Sequence, residues 1–184
     1  MIWYFTPYAL DKKFLHEIDR YFAIVPNEED WVVLMDGDTA FLRSDFGRVI
    51  DRYTKQYPDT GLFTCYASRC HYQCQVPRTG NMAETSILFH KQVADQVSKD
   101  NAGKMKELDR RIAGHLMVIR KSTWMKIRNE VFSTAKDKAI LGVDTKISNA
   151  ILRLGYKIRL MRELYLFHYL RMAEGFNHTK HLEP

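Results

Sequence analysis

The chain has 184 residues, 46% of them hydrophobic and 27% charged, which suits one ordinary globular domain with a full core. No apolar run approaches the roughly 18 residues of a membrane span. A net charge of +6 favours anionic partners such as nucleotides, phosphorylated lipids or an acidic membrane surface. The lack of a long basic tract with interleaved aromatics speaks against nucleic acid. Met1–Phe5 has neither the basic flank nor the small-residue cleavage site of a signal peptide, so the expected location is cytoplasmic, with the inner face of the membrane open to peripheral contact.

In chain order, Ile2–Phe5 reads as a first strand, and Thr6-Pro7-Tyr8 breaks it. Leu10, Phe14, Ile18, Tyr21 and Val25 recur at helical spacing, predicting a helix over about residues 8–25. A loop at 26–30 leads into the apolar run Val32–Met35, a buried strand, expected to be parallel. Ser44 is a candidate cap for a helix carrying Phe46, Val49, Tyr53 and Tyr57, which Pro58 stops. Leu62–Tyr66 suits a strand, and residues 67–82 a long irregular loop. That loop region holds Cys70, His71 and Cys74, close to Cys65. The spacings do not make paired Cys-x-x-Cys knuckles, so ordinary thiols are expected, with a structural zinc as the alternative.

Thr85–Val97 suits a helix, 99–110 a charged and partly irregular stretch, and Ile112–Ile119 a strand. Ser122 is placed to cap a short helix through Arg128, followed by a polar connection over 132–141. Asp144 begins a helix with Ile147, Ile151 and Leu154 on one face, closed by Gly155. Tyr156–Met161 and Leu164–His168 read as two last strands, and residues 172–184 as a polar tail. Alternating strands and helices in the first half imply an α/β fold with a mostly parallel sheet and helices on both faces.

The most telling segment is Trp31-Val-Val-Leu-Met-Asp36-Gly37-Asp38. Ligand sites in open α/β sheets lie beyond the carboxyl ends of strands, where Asp36 and Asp38 fall. In extended backbone, residues two apart point the same way, so their repelling charges call for a cation. Hard oxygen ligands suit Mg²⁺ or Mn²⁺ together with substrate phosphates.

Three features follow one another: Asp36-Gly37-Asp38; Gly114-His115-Leu-Met-Val-Ile-Arg-Lys-Ser-Thr-Trp124; and Leu141-Gly142-Val143-Asp144, then Leu154-Gly155-Tyr156 and Phe167-His168. Together they resemble nucleotide-sugar-dependent glycosyltransferases of the GT-A fold, most of all the family 2-like group, from about residue 2 to about residue 171. The resemblance implies one Rossmann-like GT-A domain over 1–184. It implies a Mn or Mg ion held by Asp38, by Asp36 directly or through water, and by His168. Thr6, Pro7 and Tyr8 would border the nucleotide base, Gly114 and His115 would line the sugar and acceptor pocket, and Asp144 would be the general base. The implied reaction moves a hexose from a nucleotide-diphosphate sugar to a hydroxyl of a glycan or glycolipid, with inversion. Lys13 or Arg171 would add charge near the pyrophosphate.

The chain departs from the family in two places. Little sequence separates the first strand from Asp36, and Val143 stands where an acid usually precedes the base, which leaves retention open. Each role also has a plainer alternative: a helix N-terminal acid for Asp144, a satisfied core histidine for His168, with His178 or His181 as replacement ligand, a structural His115, and a loop aromatic at Tyr8. The rival functions are a nucleotidyltransferase or phosphohydrolase using the same carboxylates, a non-catalytic protein of the GT-A fold, and a zinc-dependent module built on Cys65–Cys74.

Overall fold

The computed structural model describes residues 1–8, 14–78, 84–134 and 142–169. Lys13, Arg171, His178, His181 and the polar tail lie outside them. The described residues form an α/β fold of five α-helices and seven strands. The strands are β1 (Ile2–Phe5), β2 (Trp31–Met35), β3 (Thr39–Phe41), β4 (Thr60–Ala67), β5 (Met105–Leu108), β6 (Leu116–Arg120) and β7 (Lys157–His168). They join in one sheet of order β1-β2-β6-β4-β7-β3, with β5 beside β7. The helices are α1 (Phe14–Ile24), α2 (Phe46–Gln56), α3 (Ile87–Asp100), α4 (Lys121–Thr134) and α5 (Val143–Arg153).

The sheet is mixed, which corrects the expectation of a mostly parallel one. β1 and β2 are parallel, but β6 pairs antiparallel with β2 and with β4, and β3 antiparallel with β7. Alternation of strand and helix holds only as far as β2. The short β3 and β5 break it, and neither carries an apolar run long enough to be read as a strand. β7 is one twelve-residue strand rather than two. Arg162 and Glu163 interrupt its apolar pattern, but Glu163 is paired with Arg52 and accepts from the Gly103 amide at 2.6 Å, so it continues the strand at little cost.

The chain falls into two compact units. The first comprises Met1–Gly37, Tyr57–Thr64 and Glu107–Arg159. Here β2 is buried through Trp31–Leu34, and Val33 faces Val118 across the ladder to β6. Ile18 and Phe22 of α1 are fully buried, and the Phe22 ring stacks on Trp124 of α4 with centroids 4.7 Å apart. Asp19 fixes that contact by accepting from the Trp124 indole at 2.9 Å and pairing with Arg128 at 2.6 Å. Gly155 takes the left-handed conformation after α5 (φ 74°), the role its place in the sequence predicts.

The second unit comprises Asp38–Gln56, Cys65–Lys106 and Leu160–Pro184. Thr39, Ala40 and Phe41 pair with His168, Phe167 and Leu166. Val93, Ala94 and Val97 of α3 pack on Tyr165 of β7, and Ser86 caps α3 by accepting from the Phe89 amide at 3.3 Å. His90 is fully buried between the Tyr165 hydroxyl (2.7 Å) and the Glu84 carbonyl (2.9 Å). No helix among the described residues is long and apolar enough to cross a membrane.

Candidate metal centre and adjoining pocket

β2 ends at Met35, and the chain turns at Gly37-Asp38 before β3 begins. The two carboxylates therefore straddle a turn rather than alternate along one extended strand. Asp36 is anchored by its amide, which donates to the His115 carbonyl at 3.3 Å. The Asp38 carbonyl accepts from the Tyr169 amide at 2.9 Å, just past the β3–β7 ladder in which Thr39 faces His168. The turn thus sets its second carboxylate against the last residue of β7. Asp36, Asp38 and His168 each offer one ligand atom, and these atoms all lie within 4.8 Å of one another.

His168 is 5% exposed and its orientation is fixed. Its Nδ1 lies 2.7 Å from the Arg69 carbonyl. A carbonyl only accepts, so Nδ1 carries the proton, and in the neutral ring Nε2 carries the lone pair. That Nε2 stands 3.4 Å from Asp38 Oδ1. Two donor atoms side by side, an imidazole lone pair and a carboxylate oxygen, are an arrangement that a shared metal ion would stabilise. The backbone around the ring is equally constrained: the His168 amide donates to Ser68 Oγ at 2.9 Å and the Ser68 hydroxyl donates to the His168 carbonyl at 3.2 Å. Support of this kind, with the remote ring nitrogen held by a carbonyl, is what orients metal-ligating histidines. The donor set, two carboxylates and one imidazole, fits a divalent ion such as Mn²⁺ or Mg²⁺ with water or substrate oxygens completing the shell.

Sequence reasoning missed the contribution of Ser68 and Arg69, because neither stands in a motif and both lie just past the end of β4. Arg69 is unusual in a second way. It is 3% exposed, its Nε has no hydrogen-bond partner, and no ion pair reaches its guanidinium among the described residues. Burial lowers its pKa. Elsewhere the arginines are commonly matched with carboxylates, as Arg43 with Asp45, Arg128 with Asp19 and Arg159 with Asp59.

In the first unit a cavity of about 190 Å³ is lined by Pro7, Met35, Asp36, Gly114, Gly142 and Asp144, among others. It gathers residues singled out from three distant parts of the sequence. Gly142 enters α5 with φ 89°, a left-handed conformation suited to glycine. Asp144 follows in the first helical turn, half-buried, its Oδ1 accepting from the Thr145 amide at 2.7 Å. Gly114 lies against it: a Cβ there would come within 3.0 Å of the Asp144 Cβ. A side chain at 114 would have to push the entry of α5 back by a few tenths of an ångström. His115 is instead 1% exposed and is not among the lining residues, so it stands behind the cavity wall. Thr6 and Tyr8 are exposed on the loop after β1, where Thr6 Cγ2 would touch a side chain added at Gly37.

The cysteines sit differently. Cys65 and Cys70 are buried, and burial pushes the Cys65 thiol well up. The Cys70 sulfur accepts from the Tyr72 amide at 3.3 Å. With Cys74 and His71 they form no group of convergent ligand atoms among the described residues. Comparison with protein-family models, with curated proteins and with solved structures found no match.

Proposed function

We propose that this chain is a divalent-metal-dependent glycosyltransferase that moves a hexose from a nucleotide-diphosphate sugar to a hydroxyl of a glycan or glycolipid. The observation that carries the reading is the convergence of Asp36, Asp38 and His168 at the end of β2, with the His168 tautomer fixed from behind. Asp36 also lines the cavity that holds Asp144 and Gly114. In this reading Asp36, Asp38 and His168 hold Mn²⁺ or Mg²⁺, which when bound supplies positive charge to a diphosphate leaving group. Asp144 accepts the proton of the acceptor hydroxyl as that oxygen attacks the anomeric carbon. Gly114 keeps the wall beside Asp144 thin enough for the acceptor to approach. Pro7, on the same lining, would border the nucleotide base.

Titration calorimetry with UDP and GDP, each with and without Mn²⁺, tests the reading. The parent chain binds one of them only with the metal. Asp38→Ala abolishes that binding while circular dichroism and the melting transition stay near those of the parent. Undiminished Mn²⁺-dependent binding by Asp38→Ala would refute the metal centre. Hydrolysis of a nucleoside triphosphate, without transfer from any nucleotide sugar, would favour a phosphohydrolase using the same carboxylates.

A further inference from the structure

The second unit contains a larger cleft, of about 880 Å³, that the metal centre does not use. Among the described residues its walls carry Arg78, Lys104, Lys106 and Arg162 against a single carboxylate, Asp100. Tyr66 and apolar side chains including Val76 and Val97 complete the lining. Among the described residues the charge in it is largely uncompensated. Arg162 donates from Nε to the Tyr66 hydroxyl at 3.2 Å, and no carboxylate pairs with its guanidinium among the described residues. Lys104 reaches only a backbone carbonyl, that of Asp100, at 2.8 Å. Arg78 and Lys106 make no hydrogen bond or ion pair through their side chains among the described residues. This contrasts with the carboxylate-matched arginines elsewhere in the chain.

The scaffold beneath these cations is firm. The Arg162 amide donates to the Lys104 carbonyl at 3.2 Å, which fixes the β7 residue against the entry to β5. Tyr53 also donates to that Lys104 carbonyl, at 2.7 Å. The volume is too large for an inorganic phosphate alone and within the usual ~300–1,000 Å³ range of organic ligands. Arg and Lys lining one cleft with few counter-charges favour phosphate oxygens, with Arg suited to bidentate contact. Asp100 and the amides of Gln73 and Asn101 on the same lining offer partners for hydroxyls.

We propose that this cleft binds a phosphate ester of sugar to nucleotide size, gripped by Arg78, Lys106 and Arg162, and that it does so without a divalent metal. The site is independent of the metal centre, so either assignment can fail alone. The same phosphate chemistry could come from a soluble sugar phosphate or from a lipid headgroup.

The test is binding of glucose 1-phosphate by calorimetry in EDTA at fixed ionic strength, with uncharged glucose as control. A parallel arm uses flotation with phosphatidylcholine vesicles with and without phosphatidic acid. The parent chain, Asp38→Ala, Lys106→Gln and the double variant Lys106→Gln/Arg162→Gln are compared. Glucose 1-phosphate binds the parent and Asp38→Ala alike, at least 10-fold more tightly than glucose. Affinity falls several-fold in Lys106→Gln, whose exposed side chain is not needed for folding, and at least 10-fold in the double variant. Binding only to phosphatidic acid vesicles, lost in the same variants, would support the site with a lipid source. No binding in either arm, or binding indifferent to Lys106→Gln and to the double variant, would overturn the proposal.

Discussion

Gly114→Ala tests the link between fold and chemistry at Asp144. The Gly114 φ lies outside the left-handed region, so alanine meets no backbone strain there. Its Cβ would stand 3.0 Å from the Asp144 Cβ, where ordinary contact begins at 3.4 Å. The Asp144 Cβ belongs to the first turn of α5 and cannot swing aside like the end of a long side chain. The helix entry must shift by at least several tenths of an ångström. Overpacking of this kind costs about 1–3 kcal/mol. Removing a glycine returns about 0.4–1 kcal/mol through the unfolded chain. A net loss of about 1–2 kcal/mol is expected, read as a lower urea midpoint at unchanged m-value. If Asp144 is the base, a misplacement approaching 1 Å lowers transfer by up to about 10²-fold, while Mn²⁺-dependent nucleotide affinity stays within about twofold. Asp144→Asn, which keeps the shape and removes the basicity, loses about 10²–10⁴-fold in rate. Parental stability in Gly114→Ala would refute the packing argument. Lost stability with full transfer, together with near-normal Asp144→Asn, would leave Asp144 only its place in the first turn of the helix.

Three further outcomes follow from the second unit and from the first unit's surface. Tyr165→Phe removes the hydroxyl that His90 Nδ1 accepts from at 2.7 Å, and the stranded buried nitrogen costs about 1–3 kcal/mol in a urea melt; an unchanged midpoint would contradict that tautomer. Asp59 is held down to about 2 by its hydrogen bonds from Arg159, below its ordinary 3.8. Because the folded value is the lower one, the pair's contribution is complete above the ordinary value and is lost as pH falls through about 2. Asp59→Asn is therefore less stable than the parent at neutral pH, and the gap closes on acidification; a gap that widens would refute the assignment. Arg69→Met replaces a buried guanidinium that no carboxylate matches among the described residues, so the melting temperature rises. A fall would mean that the charge is compensated.

Much of the first unit was legible in the sequence because its signals are local. Val32–Met35 is a continuous apolar run, Ile18 and Phe22 lie four apart on one helix face, and Gly155 stands where a helix must end in a left-handed residue. Asp36 and Asp38 could be singled out because they follow an apolar strand at its carboxyl end, where ligand sites in α/β sheets lie, and because two neighbouring like charges call for a cation, and His168 because it ends the last apolar stretch. Strand direction was not legible: periodicity states which face is buried, not which neighbour pairs, and only the ladder running from Trp31 opposite Arg120 to Met35 opposite Leu116 shows that β6 is antiparallel to β2. Nor could β3 be read, three residues whose ladder to β7 sets Thr39 opposite His168 and so brings Asp38 within reach of the ring. The Ser68 and Arg69 bonds that fix that ring span about a hundred residues, a separation no local pattern encodes. Sequence determined the residue types and their local conformations. The tertiary structure decided which of them meet, because hydrogen-bond partners and charge neighbours are properties of the folded arrangement.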